Sequence, residues 1–219
     1  MGRPVIGCFP LYPPVELLHA MGLVPAILWD VEPREPVDSP RHLQRFACGV
    51  AHRIVDRVLG PQGRALAGLM FYNACDTLRH LPEILAVGLE QQGRRLPLHR
   101  LHLPVGSCGE ETARVYLRDE LHRLQLELER AHGVRLEPAA FDASVALYRR
   151  AWQLCTELEQ QVARGQRSFE SFAGLVQQGH LQPVEDWAEA LRLAADRPQR
   201  RPEPRARVVV SGILAPSAS

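Results

Sequence analysis

The sequence predicts an α/β protein: a mostly parallel sheet with helices on both faces, then a helical segment, then the first strand of a second α/β domain. Three observations carry this reading. Apolar runs of strand length alternate with helix-period segments over residues 1–109. From residue 110 to about residue 200 only the helical period remains. A proline- and arginine-rich connector then leads into an isolated apolar run, Val208-Val209-Val210. Strand–helix alternation points to a parallel sheet because parallel neighbours need crossover connections, and helices supply them.

The elements follow in order. Residues 1–7 read as a short strand, and Pro13 and Pro14 suit a loop entering a helix that ends at Gly22. Leu23–Trp29 is a buried strand, and residues 30–40, with four acidic residues and three prolines, form a surface loop. A helical period over Arg41–Leu59 (Leu43, Phe46, Ala47, Val50, Ile54, Val58) predicts the next helix. Leu66–Tyr72 is a second buried strand, and Asp76 or Thr77 is placed to cap a helix over Leu78–Val87. Leu96–Leu103 is a third strand, followed by the loop Pro104–Gly109. Residues 110–133 and 138–164 are long amphipathic helices, and 169–195 is helical but less regular. Residues 196–207 read as a solvated connector. The predicted divisions are 1–109, 110–200 and 201–219, the last being linker plus the start of a second α/β domain. A lone strand after a linker has no local partner, so it either docks on the first sheet or opens a further domain.

Composition excludes several function classes. Among 219 residues the net charge is +1, so bulk electrostatics give no reason to expect a nucleic-acid partner. All 26 basic Lys/Arg positions are arginine. A Schiff-base lysine and a Walker-type phosphate lysine are therefore ruled out for this chain. The first residues do not form a basic region followed by an apolar stretch, and runs such as Leu23–Trp29 are too short to span a bilayer. The expectation is a cytoplasmic protein without membrane partners. Five cysteines in that compartment point to thiols or metal ligands rather than disulfides.

Cysteine is the one residue type whose placement suggests chemistry. Cys75 follows a buried strand and precedes a helix, where backbone N–H groups stabilise a thiolate. It reads either as a metal ligand or as a small buried residue at a strand end. Cys108, in Gly-Ser-Cys-Gly, lies at the end of the next strand, and Cys8 sits on the first loop, as site wall or packing. All three fall beyond the carboxyl ends of strands, where parallel α/β sheets bind ligands. Cys48 and Cys155 fall within helical patterns and are expected to face a core. Glu16 and His19, one helical turn apart, are either a helix-start contact or a pair lining the site. The nine histidines fit no zinc pattern, and there is no G-x-S-x-G or G-x-G-x-x-G.

Longer stretches carry a resemblance. The run Gly7 to Pro25, with Pro14, Glu16-Leu17-Leu18, Ala20, Gly22 and Pro25, resembles the opening motif of the 2-hydroxyacyl-CoA dehydratase / benzoyl-CoA reductase subunit family. His42–Cys48 is similar to a family helix that often carries a cysteine. Tyr72-Asn73-Ala74-Cys75-Asp76-Thr77-Leu78-Arg79 resembles the family's C-D-[ST] segment. The helix from Thr112, the stretch Gly133–Leu136 and the strand Val208–Gly212 match the family layout.

The resemblance implies flavodoxin-like domains with a helical portion between them. It implies a [4Fe–4S] cluster held by three cysteines from different loops, with Cys75 as the first ligand, Cys108 as the second and Cys8 as a substitute third. The family's own third ligand is expected in the second domain, beyond this chain. It also implies an acyl-CoA substrate, a second family subunit in a hetero- or homodimer, and an ATP-dependent iron–sulfur activator that delivers one low-potential electron. In dehydratases that electron drives radical dehydration of the thioester; in benzoyl-CoA reductases it begins ring reduction. The alternatives are a benzoyl-CoA-reductase-type or orphan reductase subunit and, from another class, a non-catalytic paralogue without a cluster.

Overall fold

Every residue of Gly68–Tyr72 is buried, and this segment forms the inner strand β3. The other strands are β1 (Val5–Cys8), β2 (Val24–Ile27) and β4 (Leu98–Leu101). All pair in parallel, in the order β2-β1-β3-β4. The structure, a computed structural model, describes residues 2–29, 35–104 and 109–197. Cys108, the run Val208–Val210 and most of the connector before it lie outside the described residues.

Seven α-helices are present among the described residues: α1 (Val15–Ala20), α2 (Gly49–Leu59), α3 (Asp76–Gln91), α4 (Glu110–His132), α5 (Pro138–Ala163), α6 (Phe169–Gln178) and α7 (Val184–Ala195). The fold is α/β with flavodoxin-like strand order. The chain divides into two compact units, one up to Phe141 and one from Asp142 onward.

In the first unit, strand alternation assigns the sheet faces. A Cβ on Gly68 would lie 3.2 Å from His132 of α4, so Gly68, Met70 and Tyr72 point to the α4 face. Arg100 pairs with Phe71 in register and reaches Glu83 of α3 at 2.6 Å, so this parity belongs to the α3 face. Ile6, Leu69, Leu81, Leu85, Leu124 and Leu128 are almost wholly buried between these layers. Helix α4 carries Glu110 and Glu111 in its first turn and Arg130 in its last, charges that complement the helix dipole. It ends at Gly133, whose φ of 66° is the left-handed cap conformation glycine adopts without penalty.

The helix expected over Arg41–Leu59 starts only at Gly49. The reason lies in Asp56, whose carboxylate accepts from the backbone N–H groups of Val37 (3.2 Å), Asp38 (2.8 Å) and Ser39 (2.7 Å) and from the Ser39 hydroxyl (3.1 Å). That capture folds the chain back across α2 through a short 3₁₀ turn, Ser39–Arg41. Phe46 is 90% exposed, and Cys48, expected to face a core, is the exposed N-cap of α2. Cys155 is buried as expected. Helix α3 begins at Asp76 with Cys75 as its N-cap, rather than after a cap at Asp76 or Thr77.

In the second unit, Trp187 donates its indole N–H to the Leu175 carbonyl at 2.8 Å and meets the Trp152 ring edge-on. The Arg167 guanidinium is buried and bonds Gln161, Ser171 and the carbonyls of Ala194 and Arg197, tying the start of α6 to the end of α7. The irregular stretch 169–195 is two helices broken between Gly179 and Pro183.

Candidate functional site

From β1 the chain passes to β2 on one side, then returns to β3 on the other. With right-handed crossovers, α1 and α2 leave on opposite faces and a crevice opens between β1 and β3 at the carboxyl edge. Cys8 ends β1, the loop 9–14 follows it, and Tyr72 to Cys75 end β3. The motif residues therefore converge on the one edge where this fold exposes backbone ends to a ligand.

Cys75 is exposed, has extended backbone and makes no side-chain bond to the helix it caps. The first N–H groups of α3 have no intrahelical partners, and their dipole end favours an anionic thiolate. Asn73, two residues earlier, fixes this loop in space. Its Nδ2 donates to the Leu103 carbonyl at 3.1 Å, and its Oδ1 accepts from the Leu103 N–H at 2.7 Å. The amide thus continues the β3–β4 ladder by one rung and clamps the Cys75 loop to the segment that leads toward Cys108.

Cys8 has a different setting. It pairs in register with Met70, is 0% exposed, and its Sγ lies 3.4 Å from the Ile6 carbonyl. Burial pushes its thiol pKa far up, so the sulfur is a protonated member of the core. Glu16 occupies the first turn of α1 and His19 the last, both partly buried. Leu11, in the loop between β1 and α1, has a φ of 107°, a strained value for a side-chain-bearing residue. Tyr12 beside it is exposed and sets its ring 5.9 Å from that of Tyr72, edge-on.

Tyr72 is 2% exposed, packed between Phe9 and Tyr12, and its hydroxyl has no hydrogen-bond partner. Burial raises its pKa; the nearby Tyr12 main chain offsets part of that, and the Cys75 and Cys8 thiols add to the rise. The sequence pattern singles out neither Tyr72 nor Asn73 as a site residue. Tyr72 ends an apolar run and reads as core. An asparagine directly after a buried strand is a signal for a side-chain bridge to the neighbouring strand.

On the α3 side, a cleft of about 190 Å³ is lined by Phe71, Asn73, Arg79, Arg100 and His102 among others. Its polar side chains are already engaged: Arg100 with Glu83, Arg79 with Asp76 at 4.0 Å, and His102 with Glu120 at 3.0 Å. The Arg123 side chain bonds Glu120 and, helped by His102, holds its carboxyl pKa at about 2. Deeper, on the α4 face, buried His99 joins Glu127 (2.7 Å) and His132 (2.9 Å). Among the described residues no three His, Cys, Asp or Glu side chains are grouped to hold a metal ion. None of the described helices is long and apolar enough to cross a membrane.

Strand order and helix placement define a class, an α/β protein with a flavodoxin-like parallel sheet, and the β1/β3 crevice is its candidate site. Comparison with known proteins gives the family. The family described as 2-hydroxyglutaryl-CoA dehydratase, D-component, matches residues 10–218, and the chain belongs to it. It is 26% identical over 147 residues to the beta subunit of lactoyl-CoA dehydratase from Anaerotignum propionicum, covering 67% of this chain and 37% of that protein. It is 31% identical over 91 residues to the beta subunit of (R)-2-hydroxyglutaryl-CoA dehydratase from Acidaminococcus fermentans, covering 42% and 24%. It is 23% identical over 221 residues to a benzoyl-CoA reductase subunit from Thauera aromatica, covering 96% and 55%. The chain thus spans between 24% and 55% of the length of these relatives.

Proposed function

We propose that this chain serves as a subunit, or the leading part of one, in an iron–sulfur 2-hydroxyacyl-CoA dehydratase-like enzyme. Residues 1–109 are the ligand-bearing α/β domain, 110–200 the helical segment, and 201–219 lead into a second α/β domain. The observation that carries the reading is the exposed Cys75 thiol at the start of α3, held by the Asn73 clamp beside the strand end that precedes Cys108. An exposed thiol at a helix N-terminus suits ligation, since the helix end favours the thiolate that a cluster iron needs.

In this reading Cys75 and Cys108 hold a [4Fe–4S] cluster. Cys8 is a third donor only if the end of β1 turns its sulfur out of the core. When bound, the cluster supplies single electrons at low potential, received from an ATP-dependent activator. Glu16 and His19, on the helix that leaves the same edge, line the acyl-CoA thioester. A second family subunit completes the enzyme, an arrangement supported by the relatives' being named as subunits of their own enzymes. A reductase acting on an aromatic thioester is the second reading, favoured by the match to the benzoyl-CoA reductase subunit over 96% of this chain.

Anaerobic reconstitution with iron and sulfide tests the proposal. A weakly held, labile cluster, seen as iron uptake with broad visible absorption and lost in both Cys75→Ser and Cys108→Ser, is the expected result while Cys8 stays in the core. No uptake, or uptake indifferent to Cys75, refutes it and leaves the paralogue without a cluster.

A further inference from the structure

A second cleft, of about 490 Å³, lies along α2 and the chain that runs into it, and its walls include Arg45, Gly49, His52, Arg53 and Asp56. That size suits a small-molecule ligand. Two of its polar walls are already engaged. Asp56 gives both carboxylate oxygens to the turn at 37–39. His52 has both ring nitrogens in contact, one with the Ser39 hydroxyl at 3.0 Å and one with the Gln44 carbonyl at 3.3 Å. The two guanidinium groups differ. Neither Arg45 nor Arg53 has a hydrogen bond or ion pair to any of the described residues.

Arg53 is nevertheless held in place. It is half-buried along α2, and its head lies beside Gly49, 3.7 Å from where a Cβ would stand. Of its three nitrogens only the unbonded Nε is shut off from solvent, so the two terminal ones keep open donors at the cleft. Arg45 adds a second cation from the exposed turn before α2. The fork of a guanidinium matches phosphate oxygens two at a time. Phe46, on the same turn, is 90% exposed and offers a flat apolar face next to Arg45. Paired guanidinium groups beside an open aromatic ring suit a nucleotide, whose base stacks while its phosphate is gripped.

We propose that this cleft binds a nucleotide phosphate, with Arg45 and Arg53 on the phosphate oxygens and Phe46 stacking the base. The site uses none of the cysteines and stands independently of the cluster reading. A free nucleotide and the nucleotide end of coenzyme A share this chemistry, and the choice of probe separates them.

Isothermal titration calorimetry of the full, metal-free chain with ADP, coenzyme A and inorganic phosphate tests the proposal. ADP or coenzyme A is expected to bind at one site per chain, and inorganic phosphate more weakly. Arg45→Gln and Arg53→Gln should each weaken nucleotide binding by about ten-fold, the factor for one lost charge-assisted hydrogen bond. Phe46→Ala should weaken it by about five-fold, the loss of one stacking contact, and leave phosphate binding unchanged. Arg45 and Phe46 are exposed, so their variants should melt as the unaltered chain does and decide the matter even if Arg53→Gln fails to fold. ADP and coenzyme A binding alike support a free nucleotide as the ligand; coenzyme A binding alone supports its nucleotide end. No binding of any probe at millimolar concentration, or binding indifferent to both arginine variants, overturns the proposal. Phosphate bound as tightly as ADP, with no effect of Phe46→Ala, overturns it too and leaves an adventitious ion only.

Discussion

The two cysteines at the crevice are predicted to behave in opposite ways when cut to alanine. Cys75 is exposed and bonds nothing on the helix it caps, so Cys75→Ala should alter metal-free stability by no more than about 0.5 kcal/mol, as for a surface change away from any special contact. Cys8 is wholly buried. Removing its sulfur forfeits about 1 kcal/mol of apolar burial, and the small cavity left behind adds several tenths more. A loss of about 1.5 kcal/mol in a chain of this size lowers Tm by roughly 3–6 °C. Iron uptake should show the reverse ranking, abolished in Cys75→Ala and retained in Cys8→Ala. Circular-dichroism melts of the metal-free proteins and iron analysis after anaerobic loading give both quantities. Peptide mapping after a short iodoacetamide pulse adds a check, since the protonated, enclosed Cys8 should stay unlabelled while Cys75 reacts. A Cys75→Ala protein that melts several degrees lower, or a Cys8→Ala protein that melts unchanged and loses iron, would refute the assignment of one thiol to the site and the other to the core.

Other consequences follow from the same geometry. Asp56→Ala strips four hydrogen bonds from the turn at 37–39 and should cost about 3 kcal/mol, with Asp56→Asn intermediate, measured by urea denaturation. Asn73→Ala should cost about 1–2 kcal/mol in the same assay and should also weaken iron retention, because it frees the Cys75 loop. His132 has its pKa pushed down from 6.5 by burial and then by His99, so below pH 6.5 the unfolded chain takes up a proton that the folded chain resists. Stability should therefore fall as pH drops from 6.5 through the lower folded value, and His132→Gln should flatten that slope. Glu120 has its pKa lowered from 4.5 to about 2, so its contribution is present above 4.5 and is lost as pH falls toward 2; Glu120→Gln should remove that part of the acid sensitivity.

Much of the fold is legible because apolar period and burial coincide. Leu66–Tyr72 and Leu23–Trp29 stand out as strands, and the observed β3 and β2 lie inside them. The overlong second helix shows where periodicity misleads. Leu43, Phe46 and Val50 keep a helical spacing, but the path of residues 37–48 is decided by Asp56, 17 to 19 residues away from the N–H groups it captures. Side-chain periodicity contains no term for a carboxylate that gathers backbone donors from a distant turn. The site is legible as an edge, since Cys8 and Cys75 both follow strands of a parallel sheet. Orientation is not legible. In a strand of four residues, one step of register turns a side chain from one face to the other, and only the pairing of Cys8 with Met70 shows that its sulfur points into the α4-side core. Asn73 escapes sequence reasoning for a related cause: its importance lies in a neighbour 30 residues away.

The Asn73 rung makes the amide proton of Leu103 a reporter. That N–H is bonded to a side chain at the rim rather than to a strand, so its exchange with solvent deuterium measures opening of the rim and not unfolding of the sheet. Opening there releases the Cys75 loop and the chain toward Cys108 together, since one amide grips both. A bound group that bridges the two loops would hold the rung closed. The slowing of Leu103 exchange on loading, beside unchanged exchange at Met70 in the middle of β3, would then give the strength of that bridge as a ratio of rates.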